Sequence, residues 1–118
     1  MITPLELVIG LLSKLLDCPV VSKVPSTRPK FFVRVDQGSP QAYGPTQDKT
    51  LIIVQVYGVD QEQVINTIGT VRQFLRFELD HPNIVGFSED SGPVEFPDPD
   101  IPAVFRWQTS GDLFTDLT

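Results

Sequence analysis

Asp48-Lys-Thr-Leu-Ile-Ile-Val-Gln-Val-Tyr-Gly58 is the stretch that decides the fold, and a helical pattern from Asp60 to Leu79 follows it at once. It is β-branched almost throughout and free of proline, which suits an interior strand. Ile52, Val54 and Val56 point one way along it, while Leu51, Ile53, Gln55 and Tyr57 point the other. The first set is wholly apolar and the second partly so, as expected of an interior strand with a helix on one face. The remainder of the chain reads as cover, edge or loop around this strand–helix unit.

The helix after the strand starts with Asp60 as N-cap and Gln63 at N3, and Val59 is placed to staple onto Val64. Val64, Ile65, Ile68, Val71, Phe74, Leu75 and Leu79 form its expected buried face, with Phe77 outside it. Gly69 in mid-helix costs about 1 kcal/mol relative to Ala, which a close approach to the sheet would justify. His81-Pro82 then ends the helix.

Upstream, Thr3-Pro-Leu-Glu6 is a helix start with Thr as N-cap, Pro at N1 and Glu completing a capping box. Leu5, Val8, Ile9, Leu12, Leu15 and Leu16 follow at helical spacing. Leu7 and Leu11 widen the apolar face, so this helix is either deeply buried or shared with a partner. Val20 to Val24 suggests a short edge strand closed by Pro25. Phe31 to Asp36 reads as a fuller strand, with Phe31, Val33 and Val35 on one face. Between them Lys23-Val-Pro-Ser-Thr-Arg-Pro-Lys30 is a rigid, basic corner. Residues 37–47, with two Gly, two Pro and no periodicity, read as a long loop.

Downstream, Ile84 to Phe87 and Ala103 to Thr109 read as strands, with Phe105, Trp107 and Thr109 facing one side. Residues 88–102 between them hold four prolines and five acids, which predicts a stiff, extended, negative loop. The tail from Gly111 either extends the last strand through Leu113 or frays. The whole reads as one domain over 1–118 of α+β class: a mostly antiparallel sheet of four to five strands with two helices packed on it.

Composition narrows the function. Hydrophobic residues make up 41% and charged residues 20%, ordinary values for a globular chain. One cysteine, Cys18, excludes an internal disulfide framework. The N-terminus has no basic region ahead of its apolar run, so a secretory signal is not expected. No stretch reaches the ~20 apolar residues of a membrane span. Residues 1–58 hold six Lys/Arg against four Asp/Glu, and residues 59–118 hold three against eleven. A net charge of −6 argues against general nucleic-acid binding. The uneven split suits a head-to-tail contact between identical subunits, or else two solvated surfaces.

Catalytic signals are sparse. His81 sits at a helix end beside a proline and reads as a C-terminal cap, and Cys18 reads as a buried structural thiol. No Cys/His spacing suggests zinc, and no glycine pattern suggests a phosphate cradle. Glu89, Asp90, Glu95, Asp98 and Asp100 are candidates to gather around calcium. They lack the Asp-x-Asp-x-Asp-Gly spacing, however, and Pro97, Pro99 and Pro102 hold the loop extended, so a solvated or partner-facing loop is the better reading. No cofactor, metal site or enzyme activity is expected.

Val24-Pro, Arg28-Pro29, Phe32-Val-Arg-Val35, Asp48, Ser91-Gly-Pro93, Pro97-Asp-Pro99 and Arg106-Trp-Gln108 occur in this order. The series resembles the tail terminator proteins of long-tailed, non-contractile (siphovirus-type) bacteriophages, especially those of actinobacterial hosts, over residues 3 to 114. The resemblance implies a structural virion protein that assembles into a ring, a hexamer, on the last ring of the tail tube. There it ends tube polymerisation and provides the surface for head–tail joining. The implied partners are further copies of itself, the major tail tube protein and the head–tail connector protein, with genomic DNA passing through unbound and no membrane involved. The implied location is the tail–head junction of the virion, reached from the host cytoplasm during assembly. Arg28, Pro29, Asp48, Pro97, Asp98, Pro99 and Arg106 match the family's recurrent positions and are candidate subunit or partner contacts. Arg28 and Arg106 either pair with acids such as Asp48 or Asp98 across an interface or lock loops within one subunit. Alternatives are a head-completion or neck adaptor protein, and a soluble α+β ligand- or metal-binding regulatory domain. Tyr57, Phe77 and the Gln55 face are the parts of the central unit expected near a partner.

Overall fold

The computed structural model describes residues 3–24, 26–27, 29–100 and 104–116. In chain order the elements are α1 (Pro4–Leu15), β1 (Val20–Val21), β2 (Phe31–Gln37), β3 (Gln41–Ala42), β4 (Asp48–Gly58), α2 (Gln61–Phe77), β5 (Ile84–Glu95) and β6 (Phe105–Thr115). The expected α+β class, with a mostly antiparallel sheet and two helices, is the architecture observed. Five strands run in the order β1-β2-β4-β6-β5, and β3 pairs with β4 beyond that path. The central strand read from the sequence is thus the central strand of the sheet. Only β1 runs parallel to its neighbour.

Both helices cover one face. Val8 and Leu12 of α1 join Val64, Ile68, Val71 and Leu75 of α2 over Val33, Val35, Ile52, Val54, Val56 and Leu113. Each such side chain contributes about 1.5–3 kcal/mol on leaving water. α1 begins as its sequence requires, with the Glu6 N–H donating to Thr3 Oγ1 and the Thr3 N–H to Glu6 Oε1. The Leu5 N–H, a further orphan donor of the first turn, is taken by Gln37 Oε1 at 2.9 Å, which ties α1 to the end of β2. Asp60 caps α2 by accepting from the Glu62 and Gln63 amides.

The structure corrects several expectations. Val59 is 56% exposed, so any staple onto Val64 leaves most of its side chain in water, and Ile65 lies on the exposed side of α2. Gly69 also faces solvent, with nothing within 4 Å of where a Cβ would stand, so no close approach explains it. α2 stops at Phe77, ahead of His81-Pro82. The first strand is confined to Val20–Val21. The expected loop at 37–47 contains a strand: β3 folds back on Asp48 and Lys49, and its turn closes with Tyr43 N–H donating to Gln47 O while Gly44 takes φ +82°. Glycine occupies that left-handed position without the steric cost a Cβ brings.

The largest correction concerns 88–102. Strand β5 continues from Ile84 to Glu95 rather than ending at Phe87, passing Pro93. Proline is tolerated because β5 is an edge strand, and the ladder to β6 shifts register between Ser91 and Val94 where Pro93 cannot donate. β6 likewise runs on to Thr115, with Leu113 and Thr115 fully buried, so the tail is sheet rather than fray. Gly111 makes the fit possible: a Cβ there would stand 2.3 Å from the Phe87 ring and 2.7 Å from the Ser88 carbonyl oxygen. Pro25, Pro102 and Ala103, which bounded other expected elements, lie outside the described residues.

Candidate functional site

The sheet face opposite the helices carries the polar architecture. Register places Phe32 beside Tyr57 and Tyr57 beside Arg106, with Arg34, Gln55 and Gln108 in the next row. The alternation Phe105/Trp107/Thr109 against Arg106/Gln108/Ser110 in β6 sends the first set to the helices and the second to this face.

Arg106 is the centre. Its guanidinium donates to the carbonyl oxygens of Phe96 and, at 3.3 Å, Pro97, and to the Tyr57 hydroxyl oxygen at 3.2 Å. Asp98 Oδ2 lies 3.5 Å from its Nη1. The same group sits 4.8 Å over the Phe96 ring and 5.7 Å from the Tyr57 ring centroid. Tyr57 is fully buried, stacked on Phe32 at 4.5 Å with the planes 9° apart. Its hydroxyl donates onward to Gln55 Oε1, and Gln55 Nε2 donates to Gln108 Oε1 at 2.9 Å. A nearly buried cation is thereby neutralised and hydrogen-bonded within one chain, as burial of charge requires. The unit is a latch fastening residues 96–98 to the sheet, and it borders a cleft of about 260 Å³ lined by Glu95, Pro97, Val104, Phe105 and Arg106.

Of the seven candidate positions, Pro97, Asp98 and Arg106 meet in this latch. Asp98 and Arg106 pair within the subunit. Asp48 cannot join them: it starts β4 opposite Thr115, whereas Arg106 stands opposite Tyr57 at the other end, about 30 Å away at the rise of a strand. Pro29 is half-buried just ahead of β2, and Pro99 is exposed beyond the latch. Arg28 lies outside the described residues. Tyr57 is not a partner contact, because Phe32 and Arg106 cover it. Phe77, 65% exposed, remains open.

Sequence reading passed over the pairing of Arg72 on α2 with Glu89 on β5, a bidentate contact at 2.6 and 2.9 Å. The hydrogen bonds from Arg72, more than its charge, hold the Glu89 carboxyl below the usual carboxylate range, against a smaller opposing effect of burial. His81 does not cap α2; its Nδ1 accepts from the Asn83 amide in the turn into β5. Burial pushes the half-buried Cys18 thiol up, with the Asp17 charge adding to it, which disfavours a reactive thiolate. Among the described residues no three His, Cys, Asp or Glu side chains converge as a metal site would need, the acids of 88–100 included. Nor, among them, is any helix long and apolar enough to cross a membrane.

Compared with known proteins, the chain matches no family model and no curated protein sequence.

Proposed function

We propose that this chain is a structural ring subunit of the tail terminator kind, acting at the tail–head junction of a siphovirus-type virion, where it ends tube polymerisation and presents the surface for head–tail joining. The observation that carries the reading is the Arg106 latch. Three of the positions that match the terminator series, Pro97, Asp98 and Arg106, are used together to hold one extended loop against a sheet. Preformed loops on a stiff sheet are what a ring subunit needs for meeting other proteins without reordering on contact. An acidic surface also suits a channel crossed by DNA, since it repels phosphates.

Mixing the purified protein with the cognate tube protein and measuring tube lengths by electron microscopy tests the reading. Tubes capped at a fixed length are expected; tubes that elongate regardless of the protein would overturn it.

A further inference from the structure

The strand order places opposite charges on opposite edges of the same sheet. Four inter-strand gaps, about 19 Å in all, separate β1 from β5. At the β5 edge, residues 84–95 contain three acids, Glu89, Asp90 and Glu95, and no Lys or Arg. Glu89 is committed to Arg72, but Asp90 and Glu95 are exposed and, among the described residues, carry no Lys or Arg partner, Glu95 accepting only from Gln61 Nε2; Asp100, just past the Arg106 latch, is likewise exposed without one. Near the other edge the described residues between β1 and β2 include two lysines, Lys23 and Lys30, and no acid. Lys23, just past β1, and Lys30, just ahead of β2, are exposed and, among the described residues, have no acidic partner.

Each edge also carries apolar surface. Beside Lys23 lies an open groove of about 520 Å³ with Ile9, Val20, Val21 and Val24 in its lining. On the β5 side Val85 and Val94 are about half exposed. The outer side of β5 has no strand paired to it among the described residues, so it presents an unsatisfied row of backbone groups.

We propose that the occupant of the basic edge is a second copy of this chain, seated by its acidic β5 edge. The contact is heterologous: one copy's acidic edge meets the next copy's basic corner, leaving a free edge of each kind at the ends. Such a contact propagates until it closes into a ring or continues as a filament. Charge steers the encounter and sets its orientation, and the apolar side chains of β5 meet the apolar groove. The inference rests on the ring reading above and names the surfaces that would make the ring.

Carbodiimide cross-linking of the full chain tests it, because the reagent joins a carboxylate directly to an amine. At high protein concentration and low salt, a ladder extending beyond the dimer is expected, with Lys23 or Lys30 joined to Asp90, Glu95 or Asp100 in the mapped peptides. The double variants Lys23→Glu/Lys30→Glu and Asp90→Lys/Glu95→Lys, checked for fold by circular dichroism, should each lose the ladder about tenfold. An equimolar mixture of the two should restore it, since every contact is again between opposite charges. Absence of any wild-type ladder, cross-links mapping elsewhere, ladders that persist in either variant, or no rescue on mixing would each overturn the proposal. Tube capping by the wild-type protein alongside any of these results would leave the terminator reading standing. Overrunning tubes with a correctly mapped ladder would remove that reading and leave the edge contact.

Discussion

On the helix side of β4, Ile52, Val54 and Val56 are sealed by α1 and α2; on the other side, Gln55 and Tyr57 are nearly as buried with no helix above them. The two faces exclude water by different means. The first is apolar packing between layers, which tolerates many shapes of similar volume. The second is a sideways cover of long polar and aromatic side chains from neighbouring strands, held by directional hydrogen bonds. A face of this second kind specifies one arrangement of its loop, because any other leaves buried polar groups unpaired. That difference explains why residues 96–98 are fastened while the apolar core carries most of the folding free energy.

The comparison can be broken most sharply at Leu113, fully buried under the helices. Leu113→Ala should cost about 3 kcal/mol in urea denaturation, from lost transfer energy plus a cavity. If it costs no more than a surface change, the helix-covered face is not the main source of stability. On the opposite face, Arg106→Ala should cost about 2 kcal/mol, because Asp98 and the Tyr57 hydroxyl lose a charged donor. Its signature is local: limited proteolysis should cut within 96–104 well before global unfolding. Uniform protection there would show that the loop does not depend on the latch.

Smaller changes sharpen the picture at the rim of the helix layer. Gly69→Ala should stabilise by roughly 0.5–1 kcal/mol, since nothing crowds the new methyl and the helix gains propensity. Gly111→Ala is its converse and should destabilise, because β5 backbone stands in the way. A rise in thermal midpoint for both would contradict the assigned packing. The smallest expected effect is the pH dependence of the Arg72–Glu89 pair. The folded-state pKa of Glu89 lies below its unfolded value, so its contribution is present above the ordinary carboxylate range and is lost as pH falls through the depressed pKa. Glu89→Gln should therefore flatten the acid limb of a plot of urea midpoint against pH; an unchanged limb would show that this partly exposed pair contributes nothing.

Several elements are legible in the sequence alone. Thr3 to Glu6 and Asp60 are caps built from neighbours in sequence, and the alternation in β4 shows directly which side chains share a face. Residues 37–47 and 88–102 mislead because proline and glycine mark irregular backbone: in the first a two-residue strand fits between Pro40 and the Gly44 turn, and in the second the bulged edge strand β5 accommodates Gly92 and Pro93. The functional candidates were legible only in part. Pro97, Asp98 and Arg106 stand out, but Tyr57, whose hydroxyl Arg106 donates to, reads as a part of the central unit near a partner. A hint was present in the alternation itself, since Gln55 beside Tyr57, and Arg106 beside Gln108, already marked one polar stripe on two strands.

What the sequence determined by itself was local: two capped helices, a central β-branched strand, an acidic second half and the α+β class. These follow from propensity, periodicity and capping, which act over a few residues. Only the tertiary structure decided that β5 is an edge, that both helices share one face, and that Arg106 closes on a hydroxyl 49 residues away in the chain. Those outcomes depend on strand order and register, and a residue's place in a sheet is set by which distant strand satisfies its backbone hydrogen bonds.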